Sequence, residues 1–184
     1  VTKMKRSLRV IFYLPSVLSV SIASLIAKYT FTPYTGLING TLHTLGLLPK
    51  SKELQWLQDP HLVWITISVM TVWWTIGFSM LLYLSALQDI SSDLYEAASI
   101  DGASSMQHLF RIVLPLLKPT TWLVFLLQMI ACFKVFGQIY MITGGGPASS
   151  TRPLIQYIYE NAFGKSNMGY ASAMSYVLFG ILLI

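Results

Sequence analysis

Four apolar runs alternate with polar segments along the chain. They cover residues 10–29, 62–87, 120–142 and 170–184. Each of the first three has at least twenty residues, and a helix of that length rises about 30 Å, the thickness of the hydrocarbon core of a bilayer. The pattern predicts an all-α, polytopic membrane helical bundle, with a single transmembrane domain over 1–184 and about four spans.

The fourth run is shorter than a bilayer requires. Its fifteen residues, 170–184, make a helix of about 22 Å, and the sequence starts at Val1 rather than at a methionine. We therefore expect a fragment that lacks the end of this span and also earlier spans.

Basic residues precede the first run, which is also how a secretory signal peptide begins. They are Lys3, Lys5, Arg6 and Arg9, and no acidic residue lies among them. The apolar core of a signal peptide usually has about 7–15 residues. The run at 10–29 is longer and ends without a clear small-residue cleavage site, so it is interpreted as a span.

The charges in the loops predict an orientation, because cytoplasmic loops carry an excess of Lys and Arg. With the basic tail inside, three crossings place 88–119 inside and both 31–60 and 143–169 outside. The inner loop contains Arg111 and Lys118. The outer segments hold basic residues as well, so the bias is modest; these are Lys50, Lys52, Arg152 and Lys165.

Composition agrees with a membrane protein that contacts lipid. Hydrophobic residues make up 54% of the chain and charged residues 10%, against about 25% charged residues in soluble domains. The net charge of +5 comes mostly from residues at the ends of apolar runs, which is typical of orientation signals rather than of nucleic-acid binding. The single cysteine, Cys132, and three separated histidines show no metal-ligand spacing. We predict no metal site and no nucleic-acid partner.

Polar or aromatic side chains inside the spans are candidates for a substrate path. Tryptophan prefers the membrane interface, and a charge within a span is by default a hypothesis about function. Structural alternatives stay open: helix packing for the tryptophans, and snorkelling of the lysine toward the interface. The candidates are Trp73, Trp74, Gln128, Lys134 and Gln138.

The inner loop, 88–119, is too long for a simple linker between spans. Asp93-x-x-Glu96 and Ser104-x-x-Gln107 are typical of capping boxes, and Asp101-Gly102 predicts a turn. These signals predict a helix over 94–100, a corner, and a second helix ended by Leu114-Pro115. The second helix would place Met106, Leu109, Phe110 and Val113 on one face. A capped helix pair of this kind favours a docking role.

The residues of this loop carry a resemblance. Glu96-Ala97-Ala98-x-x-x-Gly102, then nine residues and Ile112-x-Leu114-Pro115, is similar at every motif position to the EAA motif of ABC importer permeases. The run 94–103 resembles the carbohydrate-uptake branch. Residues 136–140, 143–147 and 169–173 are similar to maltose-type and glycerol-phosphate-type permeases. The resemblance covers the chain from about residue 10 to the end.

The resemblance implies a multi-pass subunit of the cytoplasmic membrane in an ATP-driven sugar importer. A second permease subunit would pair with it as a heterodimer, two ATP-binding cassette subunits would hold ATP and Mg²⁺, and an extracytoplasmic sugar-binding protein would deliver cargo. This chain would bind no cofactor and would be no enzyme. The EAA loop would couple ATP hydrolysis to transport through Glu96, Ala97, Ala98, Asp101, Gly102, Ala103, Ile112, Leu114 and Pro115.

Other function classes find less support in the sequence. The G-x-x-x-x-G-K-[ST] nucleotide motif does not occur, so hydrolysis would belong to a partner. An ion-driven secondary transporter would need acidic residues inside the spans, and a membrane-embedded enzyme would need paired catalytic groups there. All seven acidic residues lie in loops. The glycine run 143–147 lacks the repeated pattern of a channel filter.

Overall fold

The computed structural model describes residues 3–49 and 51–183, with side chains from Ser7 onward. Lys50, one of the basic residues of the outer segment, and Ile184, the predicted end of the fourth span, lie outside these residues. Every regular element of the described part is helical, which confirms the all-α fold class. One helix, α4 (Leu62–Gln88, 27 residues), is long and apolar enough to cross a bilayer by itself.

The remaining predicted spans are built from shorter pieces. The described residues contain two bent helix pairs, each of which could count as one broken span: Ser7–Val17 with Val20–Thr30, and Ser105–Leu116 with Lys118–Phe133. They also contain one shorter apolar helix, α11 (Met168–Leu183). Long continuous apolar helices are one way to cross a bilayer, and broken helices are tolerated where other protein or a cavity satisfies their backbone.

The predicted single helix over 10–29 is wrong in the structure. Helix α1 covers Lys3–Val17 and α2 covers Val20–Thr30. Pro15 lies inside the last turn of α1 and has no backbone N–H to donate, which weakens the helix there. Ser19, in an extended conformation, caps the new helix by accepting a hydrogen bond from the Ile22 N–H at 3.3 Å. Proline and a serine cap therefore divide the run.

The predicted continuous helix over 120–142 is also interrupted. Helix α8 covers Lys118–Phe133 and α9 covers Gly137–Ile142. Between them Phe136 takes φ −141° and ψ −67°, outside the helical region. Gly137, the first residue of α9, lowers helix propensity there.

One compact unit contains residues up to Ser16 and Thr75–Met129. In it, α1 approaches the second half of α4 closely at Gly77, because a Cβ there would lie 2.5 Å from the Phe12 carbonyl oxygen. The loop helices belong to this unit: α5 (Ser92–Ile100), α6 (Ser105–Gln107), a π-helical turn (His108–Val113) and α7 (Leu114–Leu116).

The second unit contains Val17–Trp74 and the chain from Ile130 onward. Its core has two buried clusters, Ala23, Ala27, Met70 and Ile142, and Val63, Ile67 and Ile139. They pack α2 and α9 against the first half of α4. Two short helices, α3 (Leu37–Thr44) and α10 (Leu154–Tyr159, continued by a π-helical turn Glu160–Gly164), lie in its connecting segments.

Candidate functional site

The first helix of the inner loop begins earlier than the sequence predicted. Ser91, not Asp93, is the N-cap of α5, and its Oγ accepts a hydrogen bond from the Asp93 N–H at 3.2 Å. The predicted Asp93–Glu96 capping box is therefore wrong, since Asp93 lies inside the first turn. There its carboxylate faces the positive end of the helix dipole, which is favourable.

The corner after α5 is a complete Schellman motif. The N–H of Gly102 donates to the Ser99 carbonyl at 3.1 Å, and the N–H of Ala103 donates to the Ala98 carbonyl at 2.9 Å. These are the two hydrogen bonds that satisfy the last carbonyls of a helix ending in a left-handed residue. Gly102 is that residue, with φ +76°. The predicted turn is present, and its geometry favours glycine.

The second helix starts with the predicted capping box. Ser104 Oγ accepts from the Gln107 N–H at 3.4 Å, and Gln107 Oε1 accepts from the Ser104 N–H at 2.7 Å. Tyr95 and His108 stack across the corner, with ring centroids 6.1 Å apart. Both ends of the corner are thus fixed by local contacts.

The second helix does not end at Leu114-Pro115, as the sequence predicted. Helical backbone continues to Leu116 and then bends by 58° into α8. The π-helical turn explains this, because the N–H of Leu114 donates to the carbonyl of Leu109, five residues back. Pro115 follows this wide turn and has no N–H to place, so the helix passes through it.

The loop presents an exposed mixed surface. Of the predicted coupling residues, Glu96, Ala97, Asp101, Gly102, Leu114 and Pro115 are exposed, whereas Ala98, Ala103 and Ile112 are half-buried. Large apolar side chains lie open beside them: Ile100 is 86% exposed, Met106 66% and Phe110 60%. Exposed apolar groups next to fixed acidic charge are typical of a protein docking surface.

Two of the five predicted path residues serve packing in the second unit. Trp74 packs on the cluster around Met70, and its Nε1 donates to the Leu18 carbonyl at 3.0 Å. Gln138 is buried, and its Nε2 donates to Thr71 Oγ1 at 2.9 Å. Both hydrogen bonds join separate segments of the second unit, and the place of these residues in a substrate path stays a prediction.

The other three path residues have different surroundings. Gln128, in the first unit, donates from Nε2 to Ser79 Oγ at 3.0 Å and joins α8 to α4. Trp73 is 38% exposed. Lys134 is exposed at the break between α8 and α9.

The glycine loop of residues 143–147 is bound to the chain that follows it. Its carbonyls accept hydrogen bonds from there: Gly144 from Gln156 Nε2 at 2.8 Å, Gly145 from the Thr151 N–H at 3.2 Å, and Gly146 from Thr151 Oγ1 at 2.6 Å. A channel filter needs carbonyls directed at an ion. The carbonyls of Gly144 and Gly146 instead accept from the fully buried Gln156 and from Thr151.

Sequence reasoning missed a polar cluster in the outer segment 31–60. The buried Asn39 donates from Nδ2 to Glu53 Oε2 at 2.6 Å and accepts from Trp56 Nε1 at 2.7 Å. His43 Nε2 lies 3.0 Å from Glu53 Oε1, and the Tyr34 N–H donates to Glu53 Oε2 at 3.1 Å. The Glu53 carboxylate thus joins residues 34, 39 and 43 of this segment. In the sequence, the only sign of this role is the position of Glu53 in a segment rich in turn residues.

The pKa of Glu53 is lowered from its ordinary value of 4.5, first by the Tyr34 N–H and then by His43 and Asn39, against the opposing effect of desolvation. A lowered folded pKa gives stability that is present above the unfolded value and is lost as pH falls through the folded one. We expect amide hydrogen-exchange protection of residues 34–54 to hold above about pH 4.5 and to fall below it.

The matched variant for this prediction is Glu53→Gln, which keeps the shape and removes the titration. Its protection should be lower and independent of pH over the same range, after correction for intrinsic exchange. A variant that loses protection on acidification as steeply as the natural protein would contradict the role of Glu53.

No group of three or more potential metal ligands occurs among the described residues.

The sequence profile of the family described as "Binding-protein-dependent transport system inner membrane component" matches residues 3–184. The chain is 34% identical to the probable ABC transporter permease protein YurN of Bacillus subtilis (strain 168), over 95% of the chain and 59% of YurN. It is 35% identical to the sulfoquinovosyl glycerol transport system permease protein SmoG of Agrobacterium fabrum (strain C58 / ATCC 33970), over 97% of the chain and 56% of SmoG.

The lactose transport system permease protein LacF of Rhizobium radiobacter is 34% identical over 92% of the chain and 57% of LacF. Among solved structures, a bacterial ABC transporter involved in import of the acidic polysaccharide alginate is similar, with a TM-score of 0.87 and 26% identity. That match covers 100% of this chain and 65% of the other. The chain therefore spans less than two thirds of the length of these relatives.

Proposed function

Because the chain belongs to the family of inner membrane components of binding-protein-dependent transport systems, we propose that it is the permease subunit of an ATP-driven sugar importer. The observation that carries the proposal is the inner loop, a helix, a glycine corner and a second helix with an exposed docking surface. The family is one of the inner membrane, in agreement with the predicted multi-pass location.

The proposed coupling uses the loop as a lever. Two ATP-binding cassette subunits, which would hold ATP and Mg²⁺, dock beneath the membrane, and the corner at Glu96–Gly102 enters a cleft of one of them. Ile100, Met106 and Phe110 would supply apolar contact, and Glu96 and Asp101 would supply charge. Three residues separate α4 from α5, so a movement of the corner reaches the long helix directly.

The proposed assembly also needs partners in and outside the membrane. A second permease subunit would complete the translocation path as a heterodimer, and an extracytoplasmic sugar-binding protein would deliver cargo to the outer segments. A similar alginate ABC transporter has been solved in complex with an alginate pentasaccharide-bound periplasmic protein. That complex supports the delivery step proposed for this chain.

The proposed cargo is a sugar or sugar derivative. The relatives are named for transport of lactose and sulfoquinovosyl glycerol, and the similar structure for import of alginate. Their cargoes are all saccharide-based, and they include both neutral and acidic molecules. Of the path residues, the exposed Trp73 offers a ring face on which a sugar can stack, and Lys134 offers a charge.

The proposal is tested by measuring which energy source drives uptake. In cells whose saccharide uptake depends on this permease and its partner subunits, deleting its gene should abolish uptake of a labelled saccharide. Depleting ATP at constant membrane potential should stop uptake, whereas an uncoupler at constant ATP should leave it nearly unchanged. The reverse pattern, sensitivity to the uncoupler alone, would contradict the importer and support the ion-driven alternative.

A further inference from the structure

Two hydrogen bonds between side chains join the helices on either side of the inner loop. The loop follows α4 and precedes α8, and both bonds lie in the first unit. Tyr83 Oη donates to Thr121 Oγ1 at 3.2 Å, and Gln128 Nε2 donates to Ser79 Oγ at 3.0 Å. Spacings of four residues on α4 and seven on α8 keep each pair on one helix face. The later residue on α4 pairs with the earlier one on α8, so the two helices run antiparallel there.

The bond nearer the loop belongs to a chain of two hydrogen bonds with a fixed direction. Thr121 has one hydroxyl hydrogen, and it donates this hydrogen to the Leu117 carbonyl at 3.0 Å. A carbonyl oxygen can only accept, so the Thr121 oxygen is left to accept from the Tyr83 hydroxyl. The chain therefore runs from α4 through Thr121 to the Leu117 carbonyl, and hydrogen bonds in such a chain strengthen one another.

The chain ends at the bend by which the inner loop joins α8. Leu117 is the single residue between α7 and α8, at the 58° bend. Backbone hydrogen bonding is weakened around it, because Pro115 and Pro119 have no N–H to donate. The Leu117 carbonyl accepts both the Thr121 N–H, at 2.8 Å, and the Thr121 hydroxyl. A hydroxyl bonded to the carbonyl four residues back often bends a helix. Thr121 thus holds the bend, and Tyr83 ties it to α4.

This tie bears on how a movement of the loop would spread. On the entry side, the three residues 89–91 connect α4 to α5, and on the exit side the bend connects the loop to α8. A bend with weakened hydrogen bonding can act as a hinge, so a displaced loop could turn about it without moving α8. A bond from α4 to the bend removes that freedom, because the two ends of the loop then keep a fixed separation.

We propose that Tyr83 is a positioning residue for the coupling step: by donating to Thr121, it makes the two helices that carry the inner loop move as one body. The inference rests on the importer function proposed above and adds the residue that transmits the movement. Gln128 and Ser79 join the same helix pair farther from the loop. Tyr83 contacts neither cargo nor nucleotide in this role, so its loss should change the transmitted movement and leave assembly intact.

The experiment measures the separation of the two loop ends in the complete importer with its partner subunits. Spin labels are attached at Gln88→Cys and Lys118→Cys, with Cys132→Ser and the partners' cysteines replaced. In the natural sequence and in Thr121→Ser, which keeps the hydroxyl, the distance should be the same without nucleotide and with ATP bound. In Tyr83→Phe, which removes only the hydroxyl, the distance should change or its distribution broaden when ATP binds.

Uptake is the second readout, measured in cells with the labelled saccharide of the energy-source experiment. Tyr83→Phe should lower uptake about 2- to 10-fold at an unchanged membrane level, the loss expected for one neutral hydrogen bond. Thr121→Val should have a similar effect, and the double variant should be no worse than Thr121→Val, because both changes remove the same bond. The matched control is Tyr176→Phe, at a position 78% exposed on α11, which should behave as the natural protein.

Several results would overturn the role of Tyr83. One is a loop-end distance that already changes on ATP binding in the natural sequence. Others are Tyr83→Phe with natural distances in both states or with natural uptake, and additive losses in the double variant. A variant whose distance shifts equally with and without nucleotide would show that the bond only stabilises the helix pair. Failure of the natural chain to form an ATP-hydrolysing complex with its partners would overturn the importer function instead.

Discussion

Replacing Gly102 by valine in the complete permease should abolish ATP-driven uptake and leave the protein in the membrane at its normal level. Gly102 has φ +76°, and a β-branched residue in this region costs roughly 1–2 kcal/mol or more. The corner would open, because both hydrogen bonds of the Schellman motif depend on that conformation. The docking surface around Glu96 would then lose its shape, and uptake should fall by at least about tenfold.

The structure supplies matched variants for this test. A side chain at Gly102 has room, since a Cβ there meets nothing within 4 Å. Asparagine also tolerates the left-handed region. Gly102→Asn should therefore retain much of the uptake. Gly169→Ala, at an open position without positive φ, serves as a control. Normal uptake together with normal binding of the ATPase subunit in Gly102→Val would contradict the coupling role of the loop.

Replacing Gly77 by valine should destabilise the first unit itself. A Cβ at this position would lie 2.5 Å from the Phe12 carbonyl oxygen and 2.7 Å from the Tyr13 Cα. Both are backbone atoms, so α1 has to move as a whole to make room. Overpacking of this kind costs about 1–3 kcal/mol or more, and small residues at helix contacts are what permit close approach within membranes.

The measurement is the thermal stability of the purified complete protein in detergent, followed by its amount in the membrane. The Tm should fall from natural protein to Gly77→Ala to Gly77→Val. Gly180→Val is the control, because Gly180 also lies within an apolar helix but a Cβ there meets nothing within 4 Å. Equal stability of the two valine variants would show that the α1–α4 contact is not a determinant of the fold.

Local signals explain the parts of the inner loop that were predicted correctly. The Ser104–Gln107 capping box joins atoms three residues apart, and the corner at Gly102 depends on one backbone conformation, so both can be read from sequence. The cap of α5 was misplaced by two residues because several nearby polar side chains can serve as N-cap. The passage of the helix through Pro115 depends on a π-helical turn, for which the sequence carries no local signal.

Path residues were harder to predict, because polarity and depth do not tell which side chain has a partner. Trp74 and Gln138 find theirs at Leu18 and Thr71, 56 and 67 residues away along the chain. Lys134, by contrast, is exposed at the break between α8 and α9, and its place in a substrate path stays a prediction.

The sequence by itself determined the apolar runs, their division by polar segments, the family motif and the glycine corner, since each depends on composition or on neighbours within a turn. The tertiary structure decided where the third run breaks, which buried polar groups pair, and how close two helices approach at Gly77. Those outcomes depend on contacts between residues far apart in the chain. The energy of such a contact depends on both residues that form it, so the sequence of one segment alone does not determine it.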